Sequence, residues 1–131
     1  MNTSDSTGDA AKPVVDLEQL QSACDGNAEL MRELVGLYFA QADQIMPALE
    51  KAIQGGDIGE VDHLSHKLAG SSLACGMSSI VPPLRQLEHG AKNGDLRGAS
   101  EWFGQSAAQL EILRRYIGDF LRQNPVPGAS A

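Results

Sequence analysis

The sequence predicts an all-α protein that folds as an antiparallel up-down four-helix bundle with a short extra N-terminal helix. Apolar residues recur at three- and four-residue spacing along most of the chain, which is the period of a helix with one buried face. Short clusters of Gly, Asn, Asp and Ser separate the periodic stretches, and the chain contains neither a hairpin signal nor an internal repeat. Short connections favour antiparallel neighbours, so the helices are expected to form a bundle.

The first two helices are predicted from residues that can cap a helix N-terminus. Asp16 is expected to cap a short first helix, whose apolar residues are Leu17, Leu20 and Cys24. Asn27 is expected to cap a long second helix that ends at Gly55-Gly56. The apolar face of this second helix comprises Leu30, Leu34, Leu37, Tyr38, Ile45, Leu49 and Ile53. Pro47 lies inside it and is expected to kink or locally fray the helix.

The next two helices follow a Gly-Gly-Asp turn and a Gly-Met-Ser-Ser turn. Asp57, with Glu60 three residues later, has the spacing of a capping box and opens a third helix of roughly residues 58 to 75. Ser79 is expected to cap a fourth helix with Pro82 and Pro83 in its first turn, where a missing N–H matters least. The apolar positions of the fourth helix are Ile80, Leu84, Leu87 and Ala91.

The last helix is predicted to run from about residue 96 or 100 to residue 122, between Asn93-Gly94 and Asn124-Pro125. Its apolar stripe is Phe103, Leu110, Leu113, Ile117 and Phe120.

The chain is expected to form one domain and to act as a monomer. Its 131 residues suit a single core, which we assign to residues 13 to 123. Residues 1 to 12 show no apolar period, and residues 124 to 131 contain two prolines. Both ends are therefore predicted to be disordered tails.

The composition disfavours several classes of function. The chain has 10 Lys and Arg against 17 Asp and Glu, a formal net charge of -7, which disfavours nucleic acid and anionic membranes as partners. No apolar run approaches the roughly 18 residues of a spanning helix, and the first residues lack the basic and apolar regions of a signal peptide. A cytoplasmic location is therefore predicted.

Cys24 and Cys75 have no CxxC spacing and are expected to be reduced thiols in the core.

The third helix is predicted to have a core face and an outer stripe. The core face comprises Ile58, Val61, Leu64, Ser65, Leu68, Ser72 and Cys75. His66 lies roughly 150° from the centre of this face on a helical wheel, so its side chain is expected to face solvent. Gly59, His63, Gly70 and Leu73 share the outer stripe, which suggests a docking surface. Gly inside a helix costs about 1 kcal/mol relative to Ala. Gly70 either gives a partner access to His66, permits close helix packing or is merely tolerated.

One stretch resembles a known family. The segment "HKLAGSSLACGMSSIVPPLRQLE", residues 66 to 88, is similar to the histidine-containing phosphotransfer (HPt) domain. The residues in register with the family pattern are His66, Leu68, Gly70, Ser71, Gly76, Ile80, Leu87 and Glu88. The similarity extends over about residues 27 to 122.

The resemblance implies that His66 accepts a phosphoryl group from an aspartyl phosphate and passes it to the aspartate of another receiver domain. The implied partners are response-regulator receiver domains and a hybrid sensor histidine kinase. The implied role of Glu88 is to orient the imidazole, and that of Gly70 is to give the partner room. Leu73 and His63, on the outer stripe, are the other residues of the predicted docking surface. No cofactor is implied for this chain; Mg²⁺ is expected in the partner receiver.

The resemblance also implies a basic group near the phosphate. The lysine that the family usually has three residues after the histidine is replaced by Ala69, about 60° from His66 on the wheel. Lys67, about 100° from His66, and Lys92, near a basic position of the family, are the candidates to supply this charge.

The same residues fit other kinds of site less well. His63 and His66 share a face with Asp62 close by, but further ligands are missing, so no metal site is predicted. A hydrolase built on Ser71 or Ser72 would need a sharp elbow and an oxyanion hole, which a helix interior lacks. No phosphate-binding loop for ATP is present, so we predict a phosphorylated intermediate and not an enzyme. A bundle that docks a receiver or kinase without transferring phosphate, and a fragment of a larger hybrid kinase, stay open.

Overall fold

The computed structural model describes residues 13–124. It has five α-helices and one short 3-10 helix: α1 (Leu17–Ala23), α2 (Ala28–Gln54), α3 (Ile58–Ala74), the 3-10 helix (Ser78–Ile80), α4 (Val81–Lys92) and α5 (Ala99–Gln123). No strand occurs between residues 13 and 124, so the predicted all-α class is confirmed. The predicted tails, residues 1–12 and 124–131, lie outside the described range, apart from Asn124, which follows the last residue of α5.

The four long helices pack in a ring that follows their order in the chain. Helix α2 packs against α3 and α5, α3 against α4, and α4 against α5, which is the neighbour pattern of an up-down bundle. Helix α1 adds contacts to α2 and α3. The α3–α4 pairing is the most extensive contact, and the candidate site lies across it.

Three predicted helix caps are confirmed. The side chains of Asp16, Asn27 and Asp57 each accept a hydrogen bond from the backbone N–H three residues later, at 3.1, 3.0 and 3.1 Å. Such a cap stabilises a helix by about 1 kcal/mol because it satisfies an N–H group that has no partner inside the helix. These caps set where α1, α2 and α3 begin.

The start of α4 differs from the prediction. Ser79 lies within the 3-10 helix and caps nothing; α4 begins at Val81 without a side-chain cap. The Ser79 hydroxyl is buried without a hydrogen-bond partner. Pro82 and Pro83 do occupy the first turn of α4, where prolines leave no N–H group without a partner. Helix α4 therefore begins with prolines in its first turn, without the side-chain cap that the sequence suggested.

Pro47 does not fray α2, which runs unbroken from Ala28 to Gln54. Pro47 is exposed, whereas its neighbours Met46 and Leu49 are buried in the core. Tertiary packing on the inner face therefore holds the helix together across the position where proline removes a backbone hydrogen bond.

The core is apolar and continuous, but it does not include every residue of the apolar faces that the sequence predicted. Its fully buried large side chains include Leu20, Leu49, Leu68, Met77, Ile80, Leu84, Leu87 and Leu113. Leu30, Leu37 and Ile58, which were predicted to face the core, are 45%, 70% and 39% exposed. The apolar faces of α2 and α3 are thus wider than the strip that neighbouring helices cover.

Candidate functional site

His66 lies in the middle of α3 with its side chain in solvent. The imidazole is 66% exposed, while Val61 and Leu68 on the opposite side of the same helix are fully buried. The core face of α3 therefore holds the helix in the rotation that points His66 outward. The predicted orientation of this side chain is confirmed.

Glu88 reaches His66 from the neighbouring helix α4. Its Oε2 lies 2.6 Å from Nδ1 of His66, and its Oε1 accepts a 2.7 Å hydrogen bond from the guanidinium of Arg85. The Glu88 side chain is only 9% exposed, so it approaches the imidazole from the protein side. Both carboxylate oxygens of Glu88 have a partner.

The charge of Glu88 decides which nitrogen of His66 carries the proton. Burial by itself raises the pKa of the Glu88 carboxyl, but the hydrogen bonds from Arg85 and His66 outweigh burial and lower the pKa below its ordinary value. Glu88 is therefore a carboxylate at neutral pH, and a carboxylate can only accept hydrogen bonds. Nδ1 of His66 must then be the donor, which leaves the lone pair of a neutral imidazole on Nε2.

The structure places one of the two candidate lysines beside this pair. Nζ of Lys92 lies 3.1 Å from Oδ1 of Asp62 and 3.8 Å from Oε2 of Glu88, so it links α4 to α3 next to the imidazole. Lys67 is exposed, and no ion pair within residues 13–124 joins it to His66 or Glu88. Only Lys92 shares the charge network of the site.

Ala69 is fully buried in the core, although a helical wheel puts it on the His66 side. Helix packing therefore covers this position of α3, which the wheel places beside the exposed imidazole. A lysine at position 69 would have to extend its side chain so that the ammonium group reaches solvent, because a buried charge without a partner is costly. Any cation near the imidazole therefore comes from another position.

Gly70 leaves open space beside His66. A Cβ built at Gly70 meets no atom within 4 Å outside its own helix turn, so the alternative that this glycine permits close helix packing is wrong. Leu73 is 50% exposed and lines a surface groove with Pro13, Val14, Asp16, Ser78, Ser79, Val81 and Pro82. His63 is exposed on the same side of α3. This face presents an imidazole, an open turn and an apolar rim.

The other nucleophiles and ligands that the sequence suggested are not assembled into a site. The Ser72 hydroxyl is buried, shares a 2.6 Å hydrogen bond with Tyr38 and donates to the Leu68 carbonyl. Burial raises the pKa of Tyr38 to about 12. Cys24 and Cys75 are buried free thiols, as predicted. Across the part of the chain described, no group of three or more His, Cys, Asp and Glu side chains could hold a metal ion.

Sequence reasoning missed Arg85, which the structure ties directly to Glu88. The signal was the spacing: Arg85 and Glu88 are three residues apart in a predicted helix, where opposite charges can meet.

Among the described residues, no helix is long and apolar enough to cross a membrane.

Comparison with known proteins gives three findings. A family model described as the Hpt domain matches residues 33–116. Histidine-containing phosphotransfer protein 4 of Arabidopsis thaliana is 24% identical over 110 residues, which covers 82% of this chain and 85% of the relative. The crystal structure of histidine-containing phosphotransfer protein B (HptB) from Pseudomonas aeruginosa PAO1 superposes with a TM-score of 0.79 at 21% identity, covering 86% of this chain and 98% of that chain.

Proposed function

We propose that this chain, which belongs to the Hpt domain family and functions in histidine phosphotransfer within a phosphorelay, carries the phosphoryl group on Nε2 of His66. The observation that supports this assignment is the 2.6 Å contact between Nδ1 of His66 and the carboxylate of Glu88. It holds the inner nitrogen as a proton donor and turns the unprotonated nitrogen of a neutral imidazole toward solvent. The other histidines, His63 and His89, lack a carboxylate contact within the described residues.

The transfer step needs one nucleophile and one leaving group. The Nε2 lone pair of His66 attacks the phosphorus of an aspartyl phosphate, the N–P bond forms, and the P–O bond to the aspartate breaks with its electron pair going to the carboxylate. Nδ1 keeps its proton, so the phosphorylated imidazole becomes a cation. The carboxylate of Glu88 then lies against the positive charge that develops. The reverse sequence delivers the phosphoryl group to the aspartate of a second receiver.

Charge neutralisation on this chain falls to Lys92. Its ammonium group lies at the edge of the His66–Glu88 pair, held by Asp62 at 3.1 Å, and it is 57% exposed. That position lets it turn toward a phosphate on the imidazole, as a flexible lysine can. Lys67 is the second candidate, one residue along α3 and without an ion pair to this network. Ala69 cannot contribute.

The partners follow from the family and from the surface around His66. Hpt family proteins interact with two-component kinases and response regulators. For this chain we propose receiver domains of a response regulator and of a hybrid sensor kinase, which dock over Gly70 and Leu73 beside the imidazole. Mg²⁺ belongs to the acidic pocket of the receiver, and none of the roles assigned to residues of this chain uses it. The monomeric state and the cytoplasmic location stay predictions.

The proposed site is tested by labelling from a phosphorylated receiver domain. His66→Ala should abolish labelling, whereas the matched variants His63→Ala and His89→Ala should retain it. The label should be lost in mild acid and kept in alkali, because it is a phosphoramidate. Label that survives in His66→Ala, or an acid-stable label, would move the site to another residue. A wild-type protein that binds the receiver but takes no label would instead be a docking bundle.

A further inference from the structure

We propose that Arg85 is a positioning residue for phosphoryl transfer, because its guanidinium holds the carboxylate of Glu88 in the orientation that presents His66. This inference rests on the proposed role of His66. Arg85 does not touch the imidazole in any contact of the structure; it acts through Glu88. Its role is therefore to decide which oxygen of Glu88 faces His66 and whether that oxygen is charged.

The geometry is a chain of two short hydrogen bonds. Nη1 of Arg85 lies 2.7 Å from Oε1 of Glu88, and Oε2 of the same carboxylate lies 2.6 Å from Nδ1 of His66. A glutamate carboxylate rotates easily about its last torsion. With Oε1 held by Arg85, the carboxylate plane is set and Oε2 is left for the imidazole. An outer hydrogen-bonding partner of this kind also orients the histidines of metal sites.

The charges around Glu88 give Arg85 a second effect. The groups that face this carboxylate are His66 from α3 and Arg85 and Lys92 from α4, with Asp62 on α3 behind Lys92. Lys92 is 3.8 Å away and is also held by Asp62, so Arg85 is the cation in direct contact. Burial raises the pKa of Glu88 and the Arg85 hydrogen bond lowers it. Without Arg85, the carboxyl of Glu88 protonates at a higher pH, and its O–H can then donate to Nδ1 instead of accepting a hydrogen bond from it.

A purely structural role would look different. Arg85 is 39% exposed but its partner Glu88 is 9% exposed, so the loss of Arg85 should lower folding stability to some extent. A purely structural role would stop there, whereas a positioning role also alters the imidazole of the folded protein. The state of the imidazole can be observed in the isolated protein, without any partner.

The experiment compares Arg85→Gln, Arg85→Lys and the control Arg115→Gln, an exposed arginine on α5. Nitrogen NMR shifts of His66 report which ring nitrogen carries the proton in the free protein. The rate of labelling by a phosphorylated receiver is measured across a pH series, together with thermal unfolding. We expect Arg85→Gln to mix the two tautomers, to slow transfer by about tenfold and to move the acid limb of the pH–rate profile to higher pH. Arg85→Lys should restore the acid limb, and Arg115→Gln should match the wild type.

The outcomes separate this inference from the proposed function. If Arg85→Gln keeps the wild-type tautomer and pH–rate profile while His66 still takes the label, Arg85 is not a positioning residue and the proposed function stands. A uniform loss of rate at every pH, with the tautomer unchanged, would mean that Arg85 contacts the receiver directly, which also overturns the inference. If the wild-type label lies on a residue other than His66, the proposed function itself fails.

Discussion

The carboxylate of Glu88 lies 2.6 Å from Nδ1 of His66 and joins an almost buried acid on α4 to an exposed imidazole on α3. Glu88 is 9% exposed and His66 is 66% exposed, so the contact crosses the boundary between core and solvent. Glu88 therefore orients the imidazole from the protein side, and the solvent-facing edge of the ring is left free for a partner.

Replacing the acid by its amide should separate orientation from packing. Glu88→Gln keeps the shape of the side chain, but its amide N–H₂ can donate to Nδ1 and favour the wrong tautomer. We expect labelling by a phosphorylated receiver to fall at least about tenfold, measured under conditions in which the variant is fully folded. Gln86→Ala, at an exposed position on the same helix, is the control. Transfer at the wild-type rate in Glu88→Gln would show that the hydrogen bond does not set the tautomer.

The same carboxylate should make stability depend on pH. The pKa of Glu88 is lower in the folded protein than the ordinary value of 4.5. A lowered pKa means that the unfolded chain binds more protons near this value, so the contribution of Glu88 to stability is present above pH 4.5 and is lost as the pH falls through the lower, folded value. Urea unfolding at about pH 7 and about pH 3 should show a wild-type advantage over Glu88→Gln that shrinks in acid. An advantage of equal size at both pH values would contradict this assignment.

Lys92 and Lys67 should differ in their effect on the phosphorylated form. Lys92 lies in the Glu88–Asp62 network, so Lys92→Ala should shorten the lifetime of the phosphorylated histidine. A partly exposed charge contact is worth up to about 1 kcal/mol, which corresponds to about fivefold in rate. Lys67→Ala, one helix position from His66, is the matched control and should change the lifetime less. The reverse order of effects would assign the phosphate contact to Lys67.

Substitutions at Gly70 should separate the access of a partner to His66 from the stability of the fold. Because a Cβ at this position meets nothing within 4 Å, Gly70→Ala should stabilise the protein by up to about 1 kcal/mol through helix propensity and change transfer little. Gly70→Leu and Gly70→Gln should also keep the fold, but their side chains stand beside the imidazole. A displacement of about 1 Å can cost ~100-fold in rate. Bulky variants that unfold early yet transfer normally would refute the access role.

Gly76 should be far less tolerant than Gly56, although both have positive φ, +75° and +68°. A Cβ at Gly76 would lie 2.4 Å from the carbonyl oxygen of Asp16, whereas one at Gly56 meets nothing within 4 Å. Both alanine variants incur about 1–2 kcal/mol for the left-handed backbone. Gly76→Ala should lose about 1–3 kcal/mol more from overpacking, measured by urea unfolding. Equal losses would mean that the chain around Asp16 can move away.

Much of the fold could be predicted because it depends on local sequence. The caps at Asp16, Asn27 and Asp57 need only a short polar side chain and the backbone three residues on. The outward direction of His66 follows from the helical period of α3 alone. Both kinds of signal lie within a few residues of the feature they determine.

What only the tertiary structure decided is how the helices cover one another. Helix packing buries Ala69 and leaves Leu37 exposed. The α3–α4 contact brings Glu88 and Lys92 to the histidine, with Arg85 behind Glu88. A helical wheel gives directions but not the width of the contact with a neighbour. Glu88 could be assigned to the site only from the family resemblance, because nothing local to residue 88 indicates a partner 22 residues away. The sequence by itself determined the helices and the direction of the nucleophile; helix packing decided which charged groups control it, because contacts between helices depend on residues distant in the chain.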